Sequence, residues 1–95
     1  MHVISHKALR DFWALHAAAQ QPLTYWYQIV RKTDFASFQD VKNTFRSADW
    51  VEGKVIFDIG GNNYRLIAVI HFNTKKVYVR EVLTHADYSR RDKIG

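Results

Sequence analysis

Between Lys54 and Tyr88 the chain gathers side chains that hold phosphate or move protons: Arg65, Arg80, His71, His85, Tyr78, Tyr88 and Lys54 itself. RNA can be cut without a metal when its own 2′-hydroxyl attacks the adjacent phosphate. A protein assisting that step takes a proton from the hydroxyl, stabilises the charge gathering on phosphorus and protonates the leaving oxygen. Arginine suits the middle task, because its planar fork holds two phosphate oxygens and stays charged. Arg65 and Arg80 are the candidates for it, and His85, Tyr88, Tyr78, His71 and Lys54 are the candidates for proton transfer. Arg65 would equally suit a cross-strand ion pair with Asp58, and Tyr78 and His71 a half-buried place in a sheet.

Other chemistries find less support. The chain has no cysteine, hence no disulfide frame, thiolate metal site or thiol nucleophile. It contains no P-loop, dinucleotide fingerprint or HExxH, and its few carboxylates do not pair convincingly for glycoside or metal-assisted phosphoryl chemistry. No metal and no cofactor is expected.

The elements that must position these side chains are strands. Lys54 to Thr84 reads as three β-rich runs separated by Gly60-Gly61-Asn62-Asn63 and Asn73-Thr74-Lys75, the pattern of an antiparallel meander. If the first turn closes with Ile59 opposite Tyr64, then Phe57 faces Leu66, Val55 faces Ala68, and Asp58 lies across from Arg65 on the other side. Keeping Phe72 and Val77 on the oily side adds Ile70, Val79 and Glu81 to it. The opposite face then carries Lys54, Ile56, Asp58, Arg65, Ile67, Val69, His71, Tyr78, Arg80, Val82 and Thr84. Such a mixture of cations and aliphatic residues suits a polyanion better than bulk water.

Upstream, His2 to Ile4 is a short β-like run suited to an edge strand. Ser5 can cap a helix reaching about Ala19, with Leu9, Phe12, Trp13 and His16 on one stripe. Pro22 fits the first turn of a second helix, whose stripe is Leu23, Trp26, Tyr27 and Val30 and whose last turn holds Arg31 and Lys32. Both stripes, tryptophans included, read as core. Ser37 and Asp40 form a capping-box pattern for a short third helix carrying Phe38, Val41 and Phe45. Asp49 and Glu52 read as a solvated turn leading into the sheet, and HADYSRRDKIG after Thr84 as a polar turn or frayed tail.

Ninety-five residues, 47% of them hydrophobic, suffice for one domain spanning residues 1–95 with a modest core. The opening MHVISHKALRDFW has no long apolar run, and no stretch nears the roughly 20 apolar residues that span a bilayer. A cytoplasmic protein without membrane contact is the expectation. Lysine and arginine outnumber aspartate and glutamate by 14 to 9, with the excess in the second half. That half supplies the expected RNA-binding residues, Lys54, His71, Lys75, Lys76, Arg90, Arg91 and Lys93.

The order strand, helices, meander, together with FDIGGNNYRLI at residues 57–67, VYVR at 77–80 and THADY at 84–88, resembles the HigB family of toxins within the RelE-like superfamily. The opening MHVIS, the spacing of Leu23 and Trp26, and the lead-in FRSAD at 45–49 fit as well, so the resemblance spans nearly the whole chain. It implies an α+β fold, a RelE-like small domain with an N-terminal strand and two to three helices packed on one face of an antiparallel sheet. It also implies the toxin of a type II toxin–antitoxin pair, a metal-independent endoribonuclease that cuts mRNA, usually on the ribosome. A HigA-like antitoxin with a helix-turn-helix would neutralise it. The matched site positions are Arg65, Tyr78, Arg80, His85 and Tyr88. Ser89 stands where the family commonly has Asp, and Glu81 follows Arg80 where an apolar residue is frequent; Glu81 suits either an extra base or an ion-pair partner of an arginine. A module of the same fold that grips nucleic acid or a protein without cutting is the alternative.

Overall fold

Gly60 and Gly61 supply the backbone that the first hairpin needs. Both sit at positive φ, 63° and 70°, where a residue with a side chain is strained by roughly 1 kcal/mol or more. The computed structural model describes the backbone of residues 1–94 and the side chains of residues 1–90. In it, this turn joins β3 (Lys54–Ile59) to β4 (Tyr64–His71) in the expected register: Ile59 opposite Tyr64, Phe57 opposite Leu66, Val55 opposite Ala68 and Asp58 opposite Arg65. β5 (Lys76–Thr84) returns antiparallel to β4. β1 (His2–Ile4) adds the expected edge, running parallel to β5.

Three features of the sheet and the segment after it depart from the sequence reading. Asp49–Val51 is a strand, β2, which pairs with β3 and completes a five-stranded sheet in the order β1-β5-β4-β3-β2. Only Glu52 and Gly53, at φ 50° and 80°, form the turn. Next, Ile67 pairs with Glu81 while Ala68 pairs with Val79, which leaves Arg80 as the extra residue of a β-bulge. The bulge inverts the alternation beyond it. Val82 and Thr84, expected on the outer face, stand opposite Leu66 and Tyr64, and Val82 packs on the core. Glu81, expected inward, joins the outer face. Finally, the polar segment after Thr84 is a helix, α4 (His85–Ile94).

The other helices cover one side of the sheet. In α1 (His6–Leu15) Leu9 is fully buried, with Phe12 and Trp13 packed against the core. α1 stops at Leu15; His16 leaves helical geometry, stacks on Phe12 at 4.4 Å, and a 3₁₀ turn at Ala17–Ala19 leads on. Ser5 occupies the N-cap position without a hydroxyl cap bond. α2 (Gln20–Arg31) buries Leu23, Trp26 and Val30, with Trp26 edge-on to Phe57 at 5.3 Å. α3 (Phe38–Thr44) is capped by Ser37, whose hydroxyl accepts from the Asp40 amide. The Asp40 carboxylate accepts from Ala36 N instead of completing the expected capping box. Leu9, Leu23, Trp26, Val30 and Val41 join Val55, Phe57, Ile59, Leu66, Ala68, Ile70 and Val77 in a single core. Among the described residues, no helix is long and apolar enough to cross a membrane.

Asp34 ties the far end of this layer to the sheet. Its carboxylate accepts from Lys75 Nζ at 3.2 Å, in the β4–β5 turn, and from the Met1 amino group at 3.3 Å. The same amino group donates to the carbonyls of Val30 and Thr33 at the end of α2. Lys75, and after it the amino group, hold the Asp34 carboxyl below the ordinary carboxylate range. Since the folded value is depressed, this stabilisation is present above the unfolded value near 4 and is lost as pH falls through the lower folded value. Asp34→Asn should therefore melt slightly below the parent protein at pH 7, and the gap should close as pH falls through the depressed folded value. A gap that stays constant across that range would show that the charge of Asp34 is not its contribution.

Candidate active site

Arg65 lies on the sheet face turned away from α1–α3 and is only 9% exposed. Its Nε donates to Asp58 Oδ1 across the hairpin at 3.0 Å. Nη1 donates to the carbonyl oxygens of Asn62 and Tyr64 at 3.4 and 3.1 Å. Nη2 donates to Asn62 Oδ1 at 2.6 Å and to His85 Nδ1 at 3.0 Å. A guanidinium has five N–H donors, and all of them are engaged inside the protein. The Tyr88 ring lies 5.8 Å from the guanidinium carbon, within cation–π range. Arg65 thus makes the ion pair with Asp58 and also reaches both chemically competent residues of α4.

α4 is held in place locally. Thr84 Oγ1 accepts from the Asp87 amide at 3.1 Å, so Thr84-His85-Ala86-Asp87 starts the helix as an S/T-x-x-D/E cap. Asp87 in the first turn favours the helix dipole and pairs with Arg90. The His85 amide donates to Asn63 O at 2.8 Å, which fastens the helix start to the glycine turn. His85 and Tyr88, three residues apart, share one side of the helix. The cap pattern was visible in the sequence, and the hairpin register placed Asp58 across from Arg65 as observed, whereas Asn62 carried no signal beyond its closeness to Arg65.

The register arranges the remaining candidates in rows across the same face. Asp58, Arg65 and Leu83 form one row, next to His85 and Tyr88. Ile56 and Ile67 form the next, with Arg80 and Glu81 of the bulge at its end. Ile56 and Ile67 are 7% and 6% exposed although they lie outside the main core cluster. Val69 and Tyr78 form a third row, which Lys54 joins one step beyond the last paired residues of β3. Tyr78 meets the His71 ring edge-on at 5.1 Å. By strand rise, Tyr78 stands about 13 Å from the Arg65 row along the sheet.

The candidates therefore fall into an assembled cluster of Arg65, His85 and Tyr88, a flanking arginine, and a separate group of Tyr78, His71 and Lys54. Arg80 is exposed and has no hydrogen bond or ion pair to another described residue. Lys75 is tied to Asp34 at the far end of the sheet, Lys76 is exposed there, and Arg90 pairs with Asp87. The side chains of Arg91 and Lys93 lie outside the described residues.

Removing either neighbour of the buried guanidinium leaves donors unsatisfied, at a cost of about 1–3 kcal/mol each. Asp58→Ala and Asn62→Ala should both lower unfolding free energy by amounts in that range and speed hydrogen exchange in α4. Tyr78→Phe and Arg80→Ala should do neither. Unchanged α4 protection in Asn62→Ala would disprove the link between the turn and the helix.

Comparison with known proteins places this geometry in context. Residues 19–91 match HigB_toxin, described as the RelE-like toxic component of a toxin–antitoxin system. The mRNA interferase toxin HigB of Escherichia coli strain K12 is 32% identical over 91 residues, covering 93% of this chain and 88% of that protein. The mRNA interferase HigB of Escherichia coli O6:H1 is 28% identical over 93 residues, covering 95% and 90%. With a strand-edged sheet, one helical layer and a match across most of its length, the chain belongs to the HigB family of RelE-like toxins.

Proposed function

We propose that the protein is the toxin of a type II toxin–antitoxin pair and acts as an endoribonuclease on mRNA engaged with the translating ribosome in the cytoplasm. The observation that carries this reading is the meeting of Arg65, His85 and Tyr88 at one end of a basic sheet face, with an exposed arginine, Arg80, on the adjacent bulge. A module that only bound RNA would need the cations and not the imidazole and phenol. Family membership and the names of the relatives support the same activity.

The division of labour differs from what residue types alone suggested. Arg65 has no donor left for a phosphate, so Arg80 is the guanidinium that receives the scissile group. His85 and Tyr88 gather against Arg65, whose row neighbours that of Arg80, and Tyr78, His71 and Lys54 line the face along which the RNA continues. In the reaction the 2′-oxygen loses its proton and bonds to phosphorus. The bond to the 5′-oxygen breaks, that oxygen takes a proton, and the upstream fragment ends in a 2′,3′-cyclic phosphate. In this reading the protein's own groups carry the chemistry.

Neutralisation falls to a HigA-like antitoxin with a helix-turn-helix, whose acidic surface would meet the basic half of the chain. Mapping RNA 5′ ends after induced expression, with and without active translation, tests the activity and its dependence on the ribosome. With purified protein and naked RNA, cleavage should persist in excess chelator and leave a cyclic phosphate or its hydrolysis product. A 3′-hydroxyl at every new end, or loss of cutting on chelation that added metal restores, would contradict the chemistry. Binding without any cut would favour the non-catalytic module.

A further inference from the structure

We propose that Arg65 is a positioning residue that locks His85 as the Nε2–H tautomer, so that His85 acts as a neutral hydrogen-bond donor to the attacked phosphate and not as a base. The role at phosphate rests on the endoribonuclease reading above. The tautomer does not.

The inference follows from what each group can give and take. A guanidinium only donates, so at 3.0 Å from Arg65 Nη2 the Nδ1 atom of His85 has to accept. A neutral imidazole whose Nδ1 lone pair is occupied carries its hydrogen on Nε2. That ring has no lone pair left with which to take a proton from a 2′-hydroxyl. Arg65 cannot easily step aside to release Nδ1, because Asp58, Asn62 and the Tyr64 carbonyl hold its other donors and Tyr88 covers it. His85 itself is held at its amide by Asn63 O.

Among the described residues, the charged group in contact with the ring is Arg65 from β4, itself paired with Asp58 of β3. On α4, Tyr88 lies over Arg65, and Asp87 is paired with Arg90. His85 is exposed although its Nδ1 is engaged. The Nε2–H edge is thus the part of the ring left to meet a ligand. A neutral donor aimed at oxygen on which charge accumulates lowers the barrier without proton transfer. The general base is then a different group of the same face, and Asp58 and Asn62 become indirect contributors through Arg65.

Two readouts on the full-length protein test this. Imidazole nitrogen NMR at pH 7 should show His85 with Nδ1 unprotonated and Nε2 protonated, and Arg65→Lys should release the ring into a mixture of tautomers. A proton on Nδ1, or a mixture already present in the parent protein, would overturn the proposal. In single-turnover cleavage, His85→Ala should lose on the order of a hundredfold in rate. His85→Gln, whose amide N–H reaches a place close to Nε2 but transfers no proton, should recover at least about tenfold of that loss. His85→Gln as slow as His85→Ala, with both melting like the parent, would remove the neutral-donor role. If the tautomer were fixed but the parent protein cut no RNA, the endoribonuclease reading would fail, and the role at phosphate with it.

Discussion

A buried guanidinium is tolerated only when its donors are satisfied, since an unpaired charge away from water is far more costly than the bonds that pair it are favourable. Arg65 meets that demand with groups from β3, the glycine turn, β4 and α4. The demand fixes more than the arginine. Asn62 must turn its amide inward, the turn must hold Gly60 and Gly61 at positive φ, and α4 must begin where Asn63 O can take the His85 amide. Each of these places a functional side chain as a by-product of satisfying one cation.

The hairpin register was legible because a tight turn at Gly60–Asn63 sets Ile59 opposite Tyr64, and that pairing keeps Val55, Phe57 and Ile59 on one oily side with Tyr64, Leu66 and Ala68. The helical stripes were legible for the same reason at a different period. α4 was not, because it has no apolar stripe; it is held by the Thr84 cap and by contacts to Arg65, which are tertiary. The bulge at Arg80 escaped because Val77 and Val79 establish an alternation that Val82 then breaks. That skipped position was the available signal. β2 was obscured by its length, three residues with all of them exposed.

For the candidate site, residue types identified the groups but not their partners. Arg65 and Asp58 are paired, as the simpler alternative required, yet the same arginine also reaches His85 and Tyr88, so the structural and functional readings of this residue coincide. The bulge separates the two arginines in role: Arg65 is enclosed, whereas Arg80 is exposed on the row beside it. No pattern of spacing distinguishes an enclosed arginine from an open one. Only the count of satisfied donors does.

The central claim is that Arg65 contributes to the reaction through His85, and a double-mutant cycle on the single-turnover cleavage rate tests it most directly. Arg65→Ala, His85→Ala and the double variant would be compared with the parent, with binding and melting followed in parallel. If Arg65 works through His85, its removal slows the parent strongly but slows the His85→Ala protein little further. Equal and additive losses would show that Arg65 acts on the phosphate independently, contradicting the account.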